Sequence, residues 1–305
     1  MLENILPSEI YSVIADKLNL DKLCEIRLRV NKPIMVSVMG GVAYLSTDGI
    51  TDKCVNSIIC SKEQIEEVIY KASDFSLYAI NGQIKQGFIT VKGGMRIGLC
   101  GEIVEEQGVI KTLKNFTSIN IRIPHSVQNC SLNALKFITE NGFKNTLVIS
   151  PPGAGKTTFL RDLAWQFSHH NYGYNLLIID ERAEIGAVSN GVPELDVGVF
   201  TDIYTNCSKY FGLVQGIRSM RPDIVMVDEL ATSDDVSAIM YAIGSGVKVI
   251  ASAHAYGVYD LKVKKDFEDI FRKQMFSRFI VLSNRCGPGT YEGIFDQNLK
   301  CLYCP

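Results

Sequence analysis

The sequence predicts an α/β chain in two parts. An N-terminal α+β domain over residues 1–124 is followed by a domain over 146–305 with a mainly parallel β-sheet, and a linker and helix over 125–145 join them. Three observations carry this. Up to Pro124 the pattern switches between short helical and strand periods. Beyond residue 145 come apolar runs rich in β-branched residues, TLVIS (146–150), LLIID (176–180), IVMVD (224–228), VKVIASA (247–253) and RFIVLS (278–283), as expected of parallel strands buried on both faces. The first run leads directly into a glycine-rich turn and a helical pattern, SPPGAGKTTFLRDLA. A length of 305 residues, 47% hydrophobic and 21% charged, suits about two globular domains.

Taken in chain order, Pro7 sits at a plausible first helical turn, with Ile10, Val13, Ile14 and Leu18 at helical spacing behind it. In CEIRLRV, Ile26, Leu28 and Val30 alternate with Glu25, Arg27 and Arg29, a strand with one wet face. Ser61 and Gln64 form a capping-box pattern that opens a helix carrying Ile65, Val68 and Ile69. Gly82 to Val104 reads as extended, with Lys92-Gly93-Gly94 as a hairpin turn. Ser131 to Asn141 reads as the linker helix, closed by Asn141-Gly142. Helical patterns follow the first and third apolar runs. No internal repeat or low-complexity tract is present.

Composition excludes several classes. With 31 basic and 33 acidic residues the net charge is −2, which argues against a wholesale electrostatic grip on nucleic acid or anionic lipid. The most apolar stretch, Val236 to Ala253, is broken by Gly244-Ser245-Gly246 and carries Lys248, so it reads as a helix, a turn and a strand rather than a membrane span. MLENILPSEI lacks a cationic segment ahead of its apolar residues, and a cytosolic location is expected, with peripheral membrane attachment left open. The nine cysteines are odd in number and scattered, and read as reduced, mostly buried thiols. Cys301 and Cys304 have C-x-x-C spacing, but no second pair or nearby histidine completes a zinc site.

The sharpest chemical signal is the glycine-rich turn. Gly153, Gly155, Lys156 and Thr157 stand where a P-loop needs them: glycines let backbone amides curl around phosphates, lysine reaches the β and γ oxygens, and the hydroxyl holds Mg²⁺. Pro151, Pro152, Ala154 and Thr158 complete the loop. One departure is Ser150, where the pattern calls for glycine. Asp228 and Glu229 end a parallel strand, where open α/β sheets place their ligands; with Thr157 they are the candidate Mg²⁺ ligands, partly through water, and Glu229 also a candidate to orient an attacking water. Asp180, Glu181 and Glu184, with Arg182 between them, end another strand and offer carboxylates to the same crevice. His254 follows VKVIASA and is placed to donate to a γ-phosphate or its water. Arg96, Arg122, Arg218 and Arg221 are the candidates for positive charge on the γ oxygens.

Together SPPGAGKTT, IIDERAEIG, RSMRPDIVMVDE and VIASAHA resemble the Walker A, Asp-box, Walker B and His-box segments of the type II and type IV secretion ATPase superfamily, and GGMRIGLCGEIV and SINIRIP resemble its arginine-bearing N-domain segments. With the late RCGPGTYEGIFD, the pattern resembles more narrowly the stage III sporulation protein AA family, from about Ile10 to Asp296. The resemblance implies a RecA-like P-loop ATPase using ATP and Mg²⁺, with nucleotide between the two domains near a neighbouring subunit of a hexameric ring. It also implies a mother-cell protein of endospore formers, cytoplasmic but peripherally attached to a membrane-embedded channel complex that joins mother cell and forespore. By the family pattern Glu184 is the Asp-box carboxylate, Glu229 the Walker B acid, His254 the His-box residue, and Arg96 and Arg122 the N-domain arginines.

Two other readings compete. A RecA-like ATPase acting on nucleic acid has Lys262, Lys264 and Lys265 in its favour, but the net charge and single Trp speak against a base-stacking groove, and the lysines read as one wet face of an amphipathic helix. A nucleotide-gated scaffold would have no need of the full acidic and histidine set.

Overall fold

The structure is a computed structural model that describes residues 2–305 except 39–40, 77–79, 125–126, 171 and 190. It contains two compact units, Met1–His125 with Ser189–Glu194, and Ser126–Val188 with Leu195–Pro305.

The first unit is built on a 7-stranded sheet with neighbouring strands antiparallel, in the spatial order Gly49–Thr51, Gly41–Ser46, Met35–Val38, Leu23–Arg29, Val109–Arg122, Met95–Glu106, Phe88–Val91. Alternation places Ile26 and Leu28 inward, where they join Ile97, Ile119 and Ile121 under two amphipathic helices, Ser8–Lys17 and Lys62–Ala72. Pro7 is the cap before the first helix rather than its first residue. Both bonds of the capping box form on the second: Gln64 N–H donates to Ser61 Oγ at 3.2 Å and Ser61 N–H to Gln64 Oε1 at 3.0 Å. The stretch read as extended from Gly82 starts instead with a helical turn, Asn81–Lys85, and the strand begins at Phe88.

The second unit carries an 8-stranded sheet ordered Thr201–Thr205, Leu176–Asp180, Ile224–Leu230, Lys248–His254, Thr146–Ser150, Arg278–Ser283, Thr290–Asp296, Cys301–Tyr303. Every pairing from Thr201–Thr205 through Arg278–Ser283 is parallel; the last two are antiparallel. The apolar runs are apolar because both faces are covered. Leu147, Leu177 and Val225 point into a core shared with the helices Lys209–Met220 and Ser233–Gly244. Val148, Ile178 and Met226 point into the opposite core, under Lys156–His169 and Leu132–Thr139. All the parallel strands therefore end at one edge, where ligands collect in sheets of this kind.

Two readings need correction. Cys301 and Cys304 are joined by a disulfide, and of the seven free cysteines only Cys60 is buried, with Cys54, Cys100 and Cys286 exposed. The Lys262–Lys265 segment is no single amphipathic helix: a short helix, Val258–Lys262, breaks before a 3₁₀ turn, and Lys264 Nζ donates to the His254 carbonyl at 2.7 Å. Among the described residues no helix is long and apolar enough to cross a membrane.

Candidate functional site

The P-loop follows the Thr146–Ser150 strand and ends at Gly155, which caps the Lys156–His169 helix. Gly153 and Gly155 hold φ of +73° and +84°. At Gly155 a second constraint applies, because a Cβ would come within 3.2 Å of Gly289 N. The Arg285–Thr290 turn packs against the loop here, and Gly289 N–H donates to the Ala154 carbonyl at 3.0 Å. Ser150 needs no left-handed conformation. It is the last residue of its strand, fully buried, with its hydroxyl donating to the Pro151 carbonyl at 3.0 Å. Pro152 and Gly153 are exposed, Ala154 is buried, and Pro151, Thr157 and Thr158 are half-buried.

Lys156, 8% exposed, reaches across to the next strand. Its Nζ lies 2.7 Å from His254 Nδ1 and 3.0 Å from Nε2. The ring can donate Nδ1–H to the Ser150 carbonyl at 3.2 Å while Nε2 accepts from Lys156, and Nε2 stands 3.4 Å from Glu229 Oε2. Arg182 Nη1 meets the same Glu229 oxygen at 3.2 Å. Burial pushes the Lys156 ammonium down to about 8, against the pull of the Glu229, Asp228 and Glu184 carboxylates and with a further push from Arg182. The P-loop lysine, the histidine and the strand-end acids thus share one electrostatic environment.

The strand-end carboxylates divide their work. Asp180 does not face the crevice. It turns back into its own loop, accepting the amides of Glu184 at 2.8 Å and of Ile185 and Gly186 at 3.0 Å each. Glu181 pairs with Lys209, a lysine only 8% exposed that also lies 3.6 Å from Asp235. Asp228 sits near this lysine; burial raises its pKa to about 6, with Lys209 and the Glu229 amide opposing.

The arginines separate. Arg218 is exposed in the last turn of Lys209–Met220, a helix that runs from the carboxyl edge of the sheet back toward its amino edge, so Arg218 is not brought to the Lys156 group; Arg221 caps the same helix end. Arg96 and Arg122 face one another on adjacent strands of the first unit. The Arg96 guanidinium stands 3.7 Å from the centroid of the Phe88 ring, and Arg122, its side chain 67% exposed, lies 4.0 Å from Glu25.

Residues 1–302 match the protein family described as sporulation stage III, protein AA. The chain belongs to that family. Stage III sporulation protein AA of Bacillus subtilis (strain 168) is 34% identical over 283 residues, which cover 91% of this chain and 88% of that protein. Among solved structures, the pilus retraction motor PilT with bound ADP aligns at a TM-score of 0.58 with 14% identity, over 89% of this chain and 77% of that one. The Legionella pneumophila ATPase DotB aligns at 0.51 with 16% identity, over 85% and 72%. At such identities these likenesses show a shared mixed α/β fold.

In this member of the stage III sporulation protein AA family, sequence reasoning gave no role to Arg161, Lys209 or the Arg285–Thr290 turn. Arg161 and Asp162 interrupt FLRDLAWQF, a helix otherwise buried nearly all round, and that interruption was the available signal. Lys209 opens a helix behind the cap Ser208, a position where a lysine normally stands in water.

Proposed function

We propose that this chain is a Mg²⁺-dependent ATPase of endospore formation that couples ATP hydrolysis to assembly or operation of a channel complex between mother cell and forespore. The observation that carries the reading is the contact of Lys156 with His254, whose ring touches Glu229, at the mouth of a P-loop built on the carboxyl edge of a parallel sheet. The bound ADP of PilT, a protein of similar fold, supports a nucleotide as ligand.

In this reading the backbone N–H groups of 153–158 and the Lys156 ammonium hold the β and γ phosphates. Glu184 orients the attacking water, Glu229 shares that task from the neighbouring strand, and His254 donates to the γ oxygens once Lys156 has left it for the phosphate. Among the described residues no three His, Cys, Asp or Glu side chains converge on one point as a protein-only metal site. A Thr157 hydroxyl with Asp228 and Glu229, partly through water, fits Mg²⁺, which takes one or two carboxylates and fills much of its shell with phosphate and water. Magnesium supplies charge neutralisation on the phosphates. Arg96 and Arg122 are the proposed N-domain arginines. Residues 1–124 are proposed as that domain, 125–145 as linker and 146–305 as the ATPase domain, working as a hexameric ring at the cytoplasmic face of membrane-embedded sporulation proteins.

Purified protein is expected to hydrolyse ATP with Mg²⁺, and Lys156→Ala to lose nucleotide binding. Glu184→Gln and Glu229→Gln are expected to keep binding while turnover drops by on the order of a hundredfold. Parent-rate hydrolysis by both Gln variants would overturn the assignment.

A further inference from the structure

We infer that Asp180 and Arg161 form a clamp that sets Glu184 against the P-loop helix, so that both are positioning residues for the water-activating step. The inference rests on the reading of Glu184 given above.

Asp180 ends its strand fully buried and closes the following turn on itself through the amides of Glu184, Ile185 and Gly186. Arg161 comes from the other direction. It lies on the P-loop helix five residues beyond Lys156, is 5% exposed, and donates Nε–H to the Ile185 carbonyl at 2.6 Å and Nη2–H to the Glu184 carbonyl at 2.8 Å. The backbone of Glu184 and Ile185 is therefore gripped at its N–H groups by a carboxylate and at its carbonyls by a guanidinium. All five bonds are charge-assisted, and the three at Ile185 and Gly186 are buried, where such bonds are strong and directional. The two clamp residues also attract each other: burial lowers the Arg161 pKa while Asp180 opposes the shift, and burial raises that of Asp180 against its three amides.

The geometric consequence is that Lys156 and Glu184 are referred to the same rigid helix, on which Lys156 and Arg161 stand about 7.5 Å apart along the axis. Ala183 precedes Glu184 at φ +52°, a conformation that an unclamped alanine rarely adopts. Gly186 permits the close approach of the turn to Ile203, whose Cδ1 would lie 2.5 Å from a Cβ there. A carboxylate that must place one water in line with a phosphorus atom is sensitive to shifts of about 1 Å, which can cost on the order of a hundredfold in rate.

The test is a double-mutant cycle in the full chain, read by single-turnover ATP hydrolysis, with KM for ATP and the thermal midpoint measured alongside. Arg161→Gln is expected to lower the hydrolysis rate at least tenfold with KM within twofold of the parent, and Arg161→Lys to recover part of that loss. On a Glu184→Gln background the same Arg161→Gln change is expected to cost less than twofold, because there is no carboxylate left to misplace. Asp180→Asn should behave as Arg161→Gln does. Should Arg161→Gln fail to fold, Arg161→Lys carries the cycle. Equal losses on the two backgrounds, or an unchanged rate, overturn the clamp and leave the Glu184 reading standing; parent-rate hydrolysis by Glu184→Gln alone overturns that reading first.

Discussion

Nucleotide binding should draw a proton into the protein near pH 8. Burial holds the Lys156 ammonium at about 8, down from 10.5, and a triphosphate in the loop restores the charged form. In the free protein the lysine is then about nine-tenths charged at pH 7, about half at pH 8 and about one-tenth at pH 9. Affinity for Mg-ATP should fall about tenfold, or about 1.4 kcal/mol, between pH 7 and pH 9, and about half a proton should be taken up per nucleotide at pH 8. Isothermal titration calorimetry in buffers of different ionisation enthalpy measures both. The sign for stability is opposite to that of a paired lysine: between about 8 and 10.5 the unfolded chain holds more protons than the folded one, so the ligand-free protein gains stability as pH rises through that window. Lys156→Arg should abolish the uptake, since guanidinium does not titrate here, and Arg182→Ala, which removes a neighbouring charge, should move its midpoint upward. Flat affinity with no proton uptake from pH 7 to 9 would refute the reasoning.

Asp228→Asn should stabilise the protein at pH 7 by about 1–2 kcal/mol while abolishing Mg²⁺-supported turnover; because the Asp228 penalty is fully present above its pKa of about 6 and fades toward 3.8, the gain in urea unfolding should shrink at pH 4.5, and a gain independent of pH would count against it. Gly155→Ala must place a Cβ at φ +84° and 3.2 Å from Gly289 N, so a loss of about 1–2 kcal/mol in urea together with weakened nucleotide binding is expected. Ser61→Ala removes one half of a capping box in the other unit and should cost about 1 kcal/mol of stability while leaving ATP affinity, read by calorimetry, as it was.

The parallel strands were legible because burial on both faces demands unbroken apolar runs, and the P-loop because its working groups are contiguous. The edge strand Thr201–Thr205 was not, since TDIYT is more than half polar and only partly buried, with Ile203 and Tyr204 reaching the two opposite cores from the sheet's edge. The position of Asp180 at a strand end was readable, but which way its carboxylate turns depends on the loop conformation that it creates. Arg161 and Lys209 escaped for a related reason. Charged residues are expected in water, and the partners that keep these two inside, the carbonyls of Glu184 and Ile185 and the carboxylates of Glu181 and Asp235, lie well over twenty positions along the chain. The Asn81–Lys85 turn was misread as extended because five residues are too few to show a helical period.

The order of strands has a consequence for how the molecule is made. Thr146–Ser150 is the earliest strand of its sheet in the chain, yet it pairs only with Lys248–His254 and Arg278–Ser283, Thr146 standing opposite Ile250 and Arg278. On the ribosome, residues 146–150 must wait for roughly a hundred further residues before either edge can be zipped, and such distant pairings slow folding. The phosphate cradle is thus assembled late, and a chain cut short before residue 248 would leave its founding strand bare along both edges.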